Sequence, residues 1–316
     1  MNEMPIHFGE KRYFSLNDQF RQTFETKIIK IPLDGGFDCP NRDGRAAYGG
    51  CTFCSASGSG DFAGNRADAI EVQFRDIKER TKRKWKDGQY IAYFQAFTNT
   101  YAPVEVLRGL YERVLEEEGV VGLSIATRPD CLPDDVLDYL SELNERTYLW
   151  IELGLQTAHD GTGRRINRAH DFKSYIEGVE KLRARGIRVC SHIINGLPGE
   201  TPEMMRETAR QVAKLDVQGI KIHLLHVLKG TPMAKQLEKG EFELMTQQDY
   251  VSVTCDQLEL LPPDVGIHRL TGDGPADLLI GPMWSAKKFV VLNAIRDELL
   301  RRNSWQGKNH KAGVEQ

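Results

Sequence analysis

The chain has 316 residues and a formal charge of −3, too balanced to bind nucleic acid through bulk charge alone. Apolar residues make up 40% of it, as in ordinary globular proteins, and no run of them is long enough to span a membrane. The opening segment, MNEMPIHFGEKRYFSLNDQF, holds no apolar h-region and no cleavage signal, so a reducing, cytoplasmic location and no membrane partner are expected.

Strand candidates then alternate with helical patterns. KIIKIPL (27–33) and YIAYFQAF (90–97) read as the first two strands. Val104, Leu107, Leu110, Tyr111, Val114 and Leu115 recur at helical spacing before the third strand, VVGLSIAT (120–127). TYLWIELGL (147–155) is the fourth strand, followed by the helical series Phe172, Tyr175, Ile176, Val179 and Leu182, with Gly186 as a stop. IRVCSHIING (187–196) is the fifth strand. The next helix starts with Thr201 as N-cap and Pro202 at its first position. GIKIHLLHVL (219–228) is the sixth strand. Six strand–helix units argue for a parallel sheet with helices outside, either an open three-quarter barrel or a doubly wound sheet. Residues 230–316 break the alternation. They read as a helix over about 246–260, a short strand near GIHRL, a helix over about 285–303 and a frayed tail, WQGKNHKAGVEQ. The chain thus divides into a core, 1–229, and an extension, 230–316, packed on it.

Three of the six cysteines crowd into DCPNRDGRAAYGGCTFC (38–54), within a loop over 34–60 directly after the first strand. In parallel α/β folds that edge of the sheet carries the site. Cys51 and Cys54 have the spacing that lets two thiolates chelate one centre. Cys39 lies upstream with eleven residues between it and Cys51, across Gly44, Gly49 and Gly50, which let the chain fold back. A zinc site would need a fourth ligand from elsewhere. Unbound thiols explain a polar, glycine-rich loop poorly. An iron–sulfur cluster held by three cysteines would leave one iron open, which suits catalysis.

On these residues the chain resembles the radical S-adenosylmethionine (SAM) superfamily. Within it, the chain is similar to the YhcC-type subgroup, to the radical domain of the elongator complex's catalytic subunit and to the oxygen-independent coproporphyrinogen oxidases. The usual spacing there is C-x3-C-x2-C; here it is C-x11-C-x2-C, a departure shared with the subgroup. The resemblance implies a partial (β/α)6 TIM-like barrel with an α/β extension. It implies a [4Fe-4S] cluster on Cys39, Cys51 and Cys54. It also implies SAM, cleaved to a 5′-deoxyadenosyl radical in a dry cavity, and a reducing electron donor such as flavodoxin or ferredoxin.

By position, FQAFTNTYAP (94–103) offers Gln95, Thr98 and Asn99 to SAM, or is an ordinary polar turn. SIATRPDCLPD (124–134) looks like the elongator TRPD segment, with Thr127 and Arg128 facing cofactor or substrate and Cys131 as a candidate thiol; Arg128 is otherwise a structural ion-pair partner. WIELGLQTAHDGTGRRINRAHD (150–171) resembles the coproporphyrinogen oxidase segment, where Gln156 would reach the SAM ribose and Arg168 its carboxylate. Glu152, on an apolar strand, is either a site residue or half of a structural ion pair. His192 is either a ribose contact or a satisfied core residue. His223 and His226 are expected on opposite faces of the sixth strand, hence not as a ligand pair. Arg269, Asp273 and Trp284 line the substrate mouth or belong to a packing loop.

Two stretches, KERTKRKWK (78–86) and RRNSWQGKNHK (301–311), interleave basic residues with tryptophan, which suits RNA or a solvated helix end. The elongator-like relatives act on the tRNA wobble uridine. The resemblance therefore implies tRNA as partner and tailoring of a carbon-5 side chain as the reaction. One such step takes carboxymethylaminomethyl to aminomethyl uridine, with Arg128 or Arg269 on the carboxylate and a methyltransferase acting downstream. Residues 230–316 are too few for an acetyltransferase domain, and no second cysteine triplet exists. A small-molecule or porphyrin-type substrate, or a zinc-bearing RNA-binding module, are the alternatives.

Overall fold

The computed structural model describes residues 3–85 and 87–311. Six parallel strands follow the expected order: β1 (Ile28–Leu33), β2 (Gln89–Phe94), β3 (Val120–Thr127), β4 (Tyr148–Gln156), β5 (Arg188–Asn195) and β6 (Gly219–Leu224). The sixth is shorter than expected. It ends at Leu224, and Val227–Leu228 (β7) leaves to pair antiparallel with Leu279–Gly281 (β9). The strand near GIHRL, Gly266–Arg269 (β8), pairs parallel with β6 and becomes the seventh strand of the main sheet.

Strand alternation sorts the side chains. Ile31 and Leu33 on β1, Ala92 and Phe94 on β2, Leu123 and Ile125 on β3, Ile151 and Leu153 on β4, and Ile220 and Ile222 on β6 join one apolar core. That core lies under the helices α2 (Ile70–Lys82), α3 (Val104–Leu115), α4 (Asp134–Arg146), α6 (Phe172–Arg183) and α7 (Pro202–Ala213). Thr201 caps α7 by accepting from the Met204 amide, and Gly186, at φ +68°, turns the chain after α6.

Residues of the opposite parity point inward. Lys30 on β1 and Lys221 on β6 both reach Glu152 on β4. In a flat sheet β1 and β6 would stand about 24 Å apart at ordinary strand spacing. Only a curled sheet brings both lysines to one carboxylate, so the sheet is a partial barrel with a polar interior layer. Below that layer, Phe20 of α1 (Leu16–Thr23) packs with Ile28 and Ile91 and closes the end of the barrel.

The extension adds α8 (Pro232–Glu238), α9 (Gln247–Leu260) and α10 (Lys288–Arg301). The expected frayed tail is packed as far as it is described; residues 312–316 lie outside the described residues. Gln306 is fully buried, accepts from the Phe14 amide at 2.9 Å and donates to the Val265 carbonyl at 2.8 Å. Three buried backbone groups, with that of Pro262, thereby find one amide side chain.

Candidate active site

The cysteine loop lies across the C-terminal ends of the strands, over a cavity of about 290 Å³. Cys39, Cys51 and Cys54 all line it. The Cys54 amide donates to the Cys51 carbonyl at 3.0 Å, closing the short turn. Arg42 clamps that turn from outside through the Ser55 and Ala56 carbonyls. Asn41 donates to the Asn167 carbonyl at 2.5 Å and to Cys51 Sγ at 3.5 Å, which ties the loop to the segment after the short helix α5 (Asp160–Arg165). Burial, reinforced by Cys54, pushes the Cys51 thiol up to about 12, against the pull of Arg128. Metal binding must therefore release protons from these thiols. Among the described residues no three Cys, His, Asp or Glu side chains stand close enough to hold a single metal ion. The loop presents its three sulfurs to one cavity, which fits a group held by three cysteines.

Gln95, Thr98, Thr127, Gln156 and His192 line the same cavity. Gln156 stands at φ +65°, and its buried Oε1 has no partner among the described residues. An orphaned acceptor beside the cysteines is a fit for a polar cofactor such as SAM. Gly154 leaves the room: a Cβ there would stand 2.7 Å from the Gln156 amide nitrogen.

Of the other expected contacts, Arg128 and Arg168 also line the cavity, while Asn99 and Cys131 do not. Asn99 is absent from the cavity wall; its amide bonds the Phe94 and Ala126 carbonyls and laces β2 to β3. Cys131 lines a separate cavity with Tyr101 and Lys181, and burial pushes its thiol up to about 12. Arg128 touches the cavity, but its guanidinium is taken by Asp130 and by the Arg168 and Ala169 carbonyls. Arg168 is only 1% exposed. It bonds the Leu155, Thr157 and His170 carbonyls and Asp160, so it works chiefly as a brace at the end of β4.

Below the cysteines, Glu152 is fully engaged. Oε1 meets Lys30 Nζ at 2.5 Å and Ser124 Oγ at 2.7 Å; Oε2 meets His192 Nε2 at 2.8 Å and Lys221 Nζ. Burial alone would raise its pKa, but Lys221, Lys30 and His192 hold it well below the usual carboxylate range. Burial lowers Lys221 to about 8 and His192 to about 4. One carboxylate on the cavity wall thus faces two lysines set behind it, and Arg269 stands on the wall itself.

His223 and His226 both line the cavity, contrary to expectation. The expected opposite faces assumed a strand continuing through both, but β6 stops at Leu224. Arg269 and Asp273 line the cavity too, whereas Trp284 packs on Tyr250 and donates to the Met245 carbonyl.

Neither basic stretch borders this mouth. Residues 78–85 end α2 and lead to the start of β2, where Lys27 stands 4.9 Å over the Trp85 ring; Lys86 lies outside the described residues. Residues 305–311 pack beside the start of β8. Both lie at the opposite end of the barrel from the cysteines. At the mouth itself, Arg42 and Arg66 each stand 5.0 Å from the Phe97 ring and Phe62 is exposed, while Arg45 covers Tyr101 at the separate Cys131 cavity.

A family model described as the Radical SAM superfamily matches residues 42–212, beginning just after Cys39, and one described as the Radical_SAM C-terminal domain matches residues 217–301. The chain belongs to the radical SAM superfamily. It is a radical SAM enzyme, and this family uses a [4Fe-4S] cluster and SAM. It is 67% identical over 307 residues to the uncharacterized protein YtqA of Bacillus subtilis, covering 97% of this chain and 95% of that one. It is 41% identical over 284 residues to protein YhcC of Escherichia coli K12, covering 89% and 90%, in line with the YhcC-type subgroup. The structure of archaeal Methanocaldococcus infernus Elp3 lacking its N-terminus matches with a TM-score of 0.65 at 18% identity, over 74% of this chain and 59% of that one. At that identity the likeness is one of fold. The reading as a non-catalytic zinc module falls with the family assignment. Among the described residues no helix is long and apolar enough to cross a membrane.

Sequence reasoning missed Lys30 and Lys221, which stand behind Glu152 and hold its carboxylate. The signal was present: each is a lone charge between isoleucines on a strand, at the parity of the interior.

Proposed function

We propose that this radical SAM enzyme tailors the carbon-5 side chain of the tRNA wobble uridine, taking carboxymethylaminomethyl to aminomethyl; the lost group would leave as glyoxylate, its oxygen coming from water and its two electrons going to SAM, which ends as methionine and 5′-deoxyadenosine. The observation that carries the substrate's charge is the balance at the cavity wall: Glu152 is saturated by Lys30 and Lys221 standing behind it, Asp273 pairs with Lys288, and Arg42, Arg128, Arg168 and Arg269 all line the cavity. A buried excess of positive charge favours an anionic group on whatever enters. Support for tRNA comes from the sequence resemblance to the elongator subunit and from the arginines stacked on aromatics around the mouth, which suit a flipped base and its phosphates.

In this reading Cys39, Cys51 and Cys54 would hold the cluster, and Gln156 with Gln95, Thr98, Thr127 and His192 would hold SAM. When bound, the pair supplies a 5′-deoxyadenosyl radical that takes one hydrogen atom from the substrate. The chain's own part is to keep the cavity closed, to fix the substrate's anionic end, and to keep Glu152 fully ionised as the counter-ion of the lysines. A flavodoxin- or ferredoxin-type donor would supply the electron, and a methyltransferase would act on the aminomethyl product.

The test starts with protein purified without oxygen. Four irons per chain are expected, with 5′-deoxyadenosine released on adding SAM and reductant, and loss of both in Cys51→Ala. Transfer RNA from a deletion strain is then expected to accumulate carboxymethylaminomethyl uridine at the wobble position. Zinc in place of iron would sink the cluster assignment, and an unchanged nucleoside profile would sink the tRNA substrate.

A further inference from the structure

We propose that Arg269, His226 and His223 form a niche for the substrate's carboxylate, in the space that Gly272 leaves open beside β8. The niche rests on the substrate reading above and gives it an address within the cavity.

Three observations converge there. A Cβ at Gly272 would stand 3.5 Å from His226 Cε1, 3.7 Å from Arg269 Nη1 and 3.8 Å from His223 Nδ1. The glycine therefore leaves a small space edged by one guanidinium and two imidazoles. Secondly, Arg269 has no hydrogen-bond or ion-pair partner among the described residues, whereas Arg128 and Arg168 are taken up by carbonyls and carboxylates. A planar guanidinium free on a cavity wall is suited to bidentate capture of a carboxylate. Thirdly, the buried Nε2 of His226 has no partner among the described residues. Burial holds His226 near 4 and His223 well below the ordinary histidine value, so both are neutral rings that can each donate one N–H.

The surrounding charges leave this niche cationic. Glu152 is saturated by Lys30, Lys221 and His192. Asp273, the acid beside Gly272, pairs with Lys288 at 3.0 Å, which offsets its charge. Such a niche separates substrate from product. A carboxymethylaminomethyl group brings the carboxylate; the aminomethyl product lacks it and brings only positive charge, so it is released.

The test measures binding, without oxygen, to an anticodon stem-loop RNA carrying carboxymethylaminomethyl uridine and to the same RNA with the neutral carboxamide. The two corresponding free nucleosides are measured alongside. The unsubstituted protein is expected to favour the acid roughly 10- to 100-fold, the range of one charge-assisted pair. Arg269→Gln is expected to erase that preference, and Arg269→Lys to restore part of it. Gly272→Ala makes only ordinary contacts, so it folds, fills the niche and shrinks the preference. An Arg269-dependent preference seen with the nucleosides but not with RNA supports the niche while removing tRNA from the substrate reading. Equal binding of acid and amide, no binding of either acid, or a preference that survives both Arg269→Gln and Gly272→Ala overturns the niche.

Discussion

Gln156 is held at φ +65°, a backbone region that costs a side-chain-bearing residue about 1 kcal/mol or more. The strain coincides with a register shift between β4 and β5 at Gly154/Gln156, and with a buried Oε1 that finds no protein partner among the described residues. Strain and an orphaned acceptor at one residue beside the cysteines mark a side chain held for a ligand rather than for the fold. Gln156→Gly is therefore expected to raise stability by up to about 1 kcal/mol in urea unfolding while weakening SAM binding about tenfold. Equilibrium dialysis with SAM checks the second half; unchanged affinity would mean that Oε1 serves something else. The motif around Gln156 was legible in the sequence. That Arg168 from the same motif is mostly spent on carbonyls was not, because its partners Leu155 and Thr157 lie on the far side of a helical turn and a loop. Sequence supplies a residue's chemistry but not how many of its donors are already taken.

The strands were legible as elements because their apolar residues alternate, and β3 matches its expected bounds. What they share inside the barrel was not, since Lys30 is 122 residues from Glu152 and Lys221 is 69 from it. Only the curl of the sheet brings three strands to one point. The arrangement also decides what Glu152 does. With both oxygens engaged twice, it has no acceptor to spare for a substrate proton, so it acts as the counter-ion of two strand lysines. Glu152→Gln would leave Lys30 and Lys221 buried without a full counter-charge. It is expected to cost about 3–5 kcal/mol of stability in urea unfolding, the range for breaking a buried pair. Loss of activity at unchanged stability would point instead to a catalytic carboxylate. The antiparallel pair of β7 and β9 escaped the sequence because HVL reads as more of β6; the departure of β7 carries His226 to the cavity.

Across the whole molecule, the sequence brought three cysteines to one edge of the sheet, where they line one cavity, but left unread how far from it the basic stretches lie. Residues 78–85 and the C-terminal stretch both lie at the closed end of the barrel, a consequence of helix direction that composition does not reveal. The interior has a second global property: a set of half-buried, neutral imidazoles. Burial lowers His192 and His226 to about 4, and lowers His223 and His268 well below the ordinary value of 6.5. In the unfolded chain each takes up a proton near pH 6.5; in the folded chain none does until the pH falls to about 4 or lower. Between those values the unfolded state binds more protons, so stability falls as the pH falls. Each imidazole contributes up to about 1.4 kcal/mol per pH unit. Glu152, ionised in the fold well below its unfolded pKa, adds a loss of the same sign below about pH 4.5. The urea midpoint is therefore expected to drop steeply from pH 7 to pH 5. His268 isolates the effect, because it lies edge-on to Trp150 with neither ring nitrogen partnered among the described residues and lines no wall of the cysteine cavity. His268→Leu is expected to flatten the slope by about one proton's worth, and a slope unchanged in that variant would assign the acid sensitivity to the remaining groups.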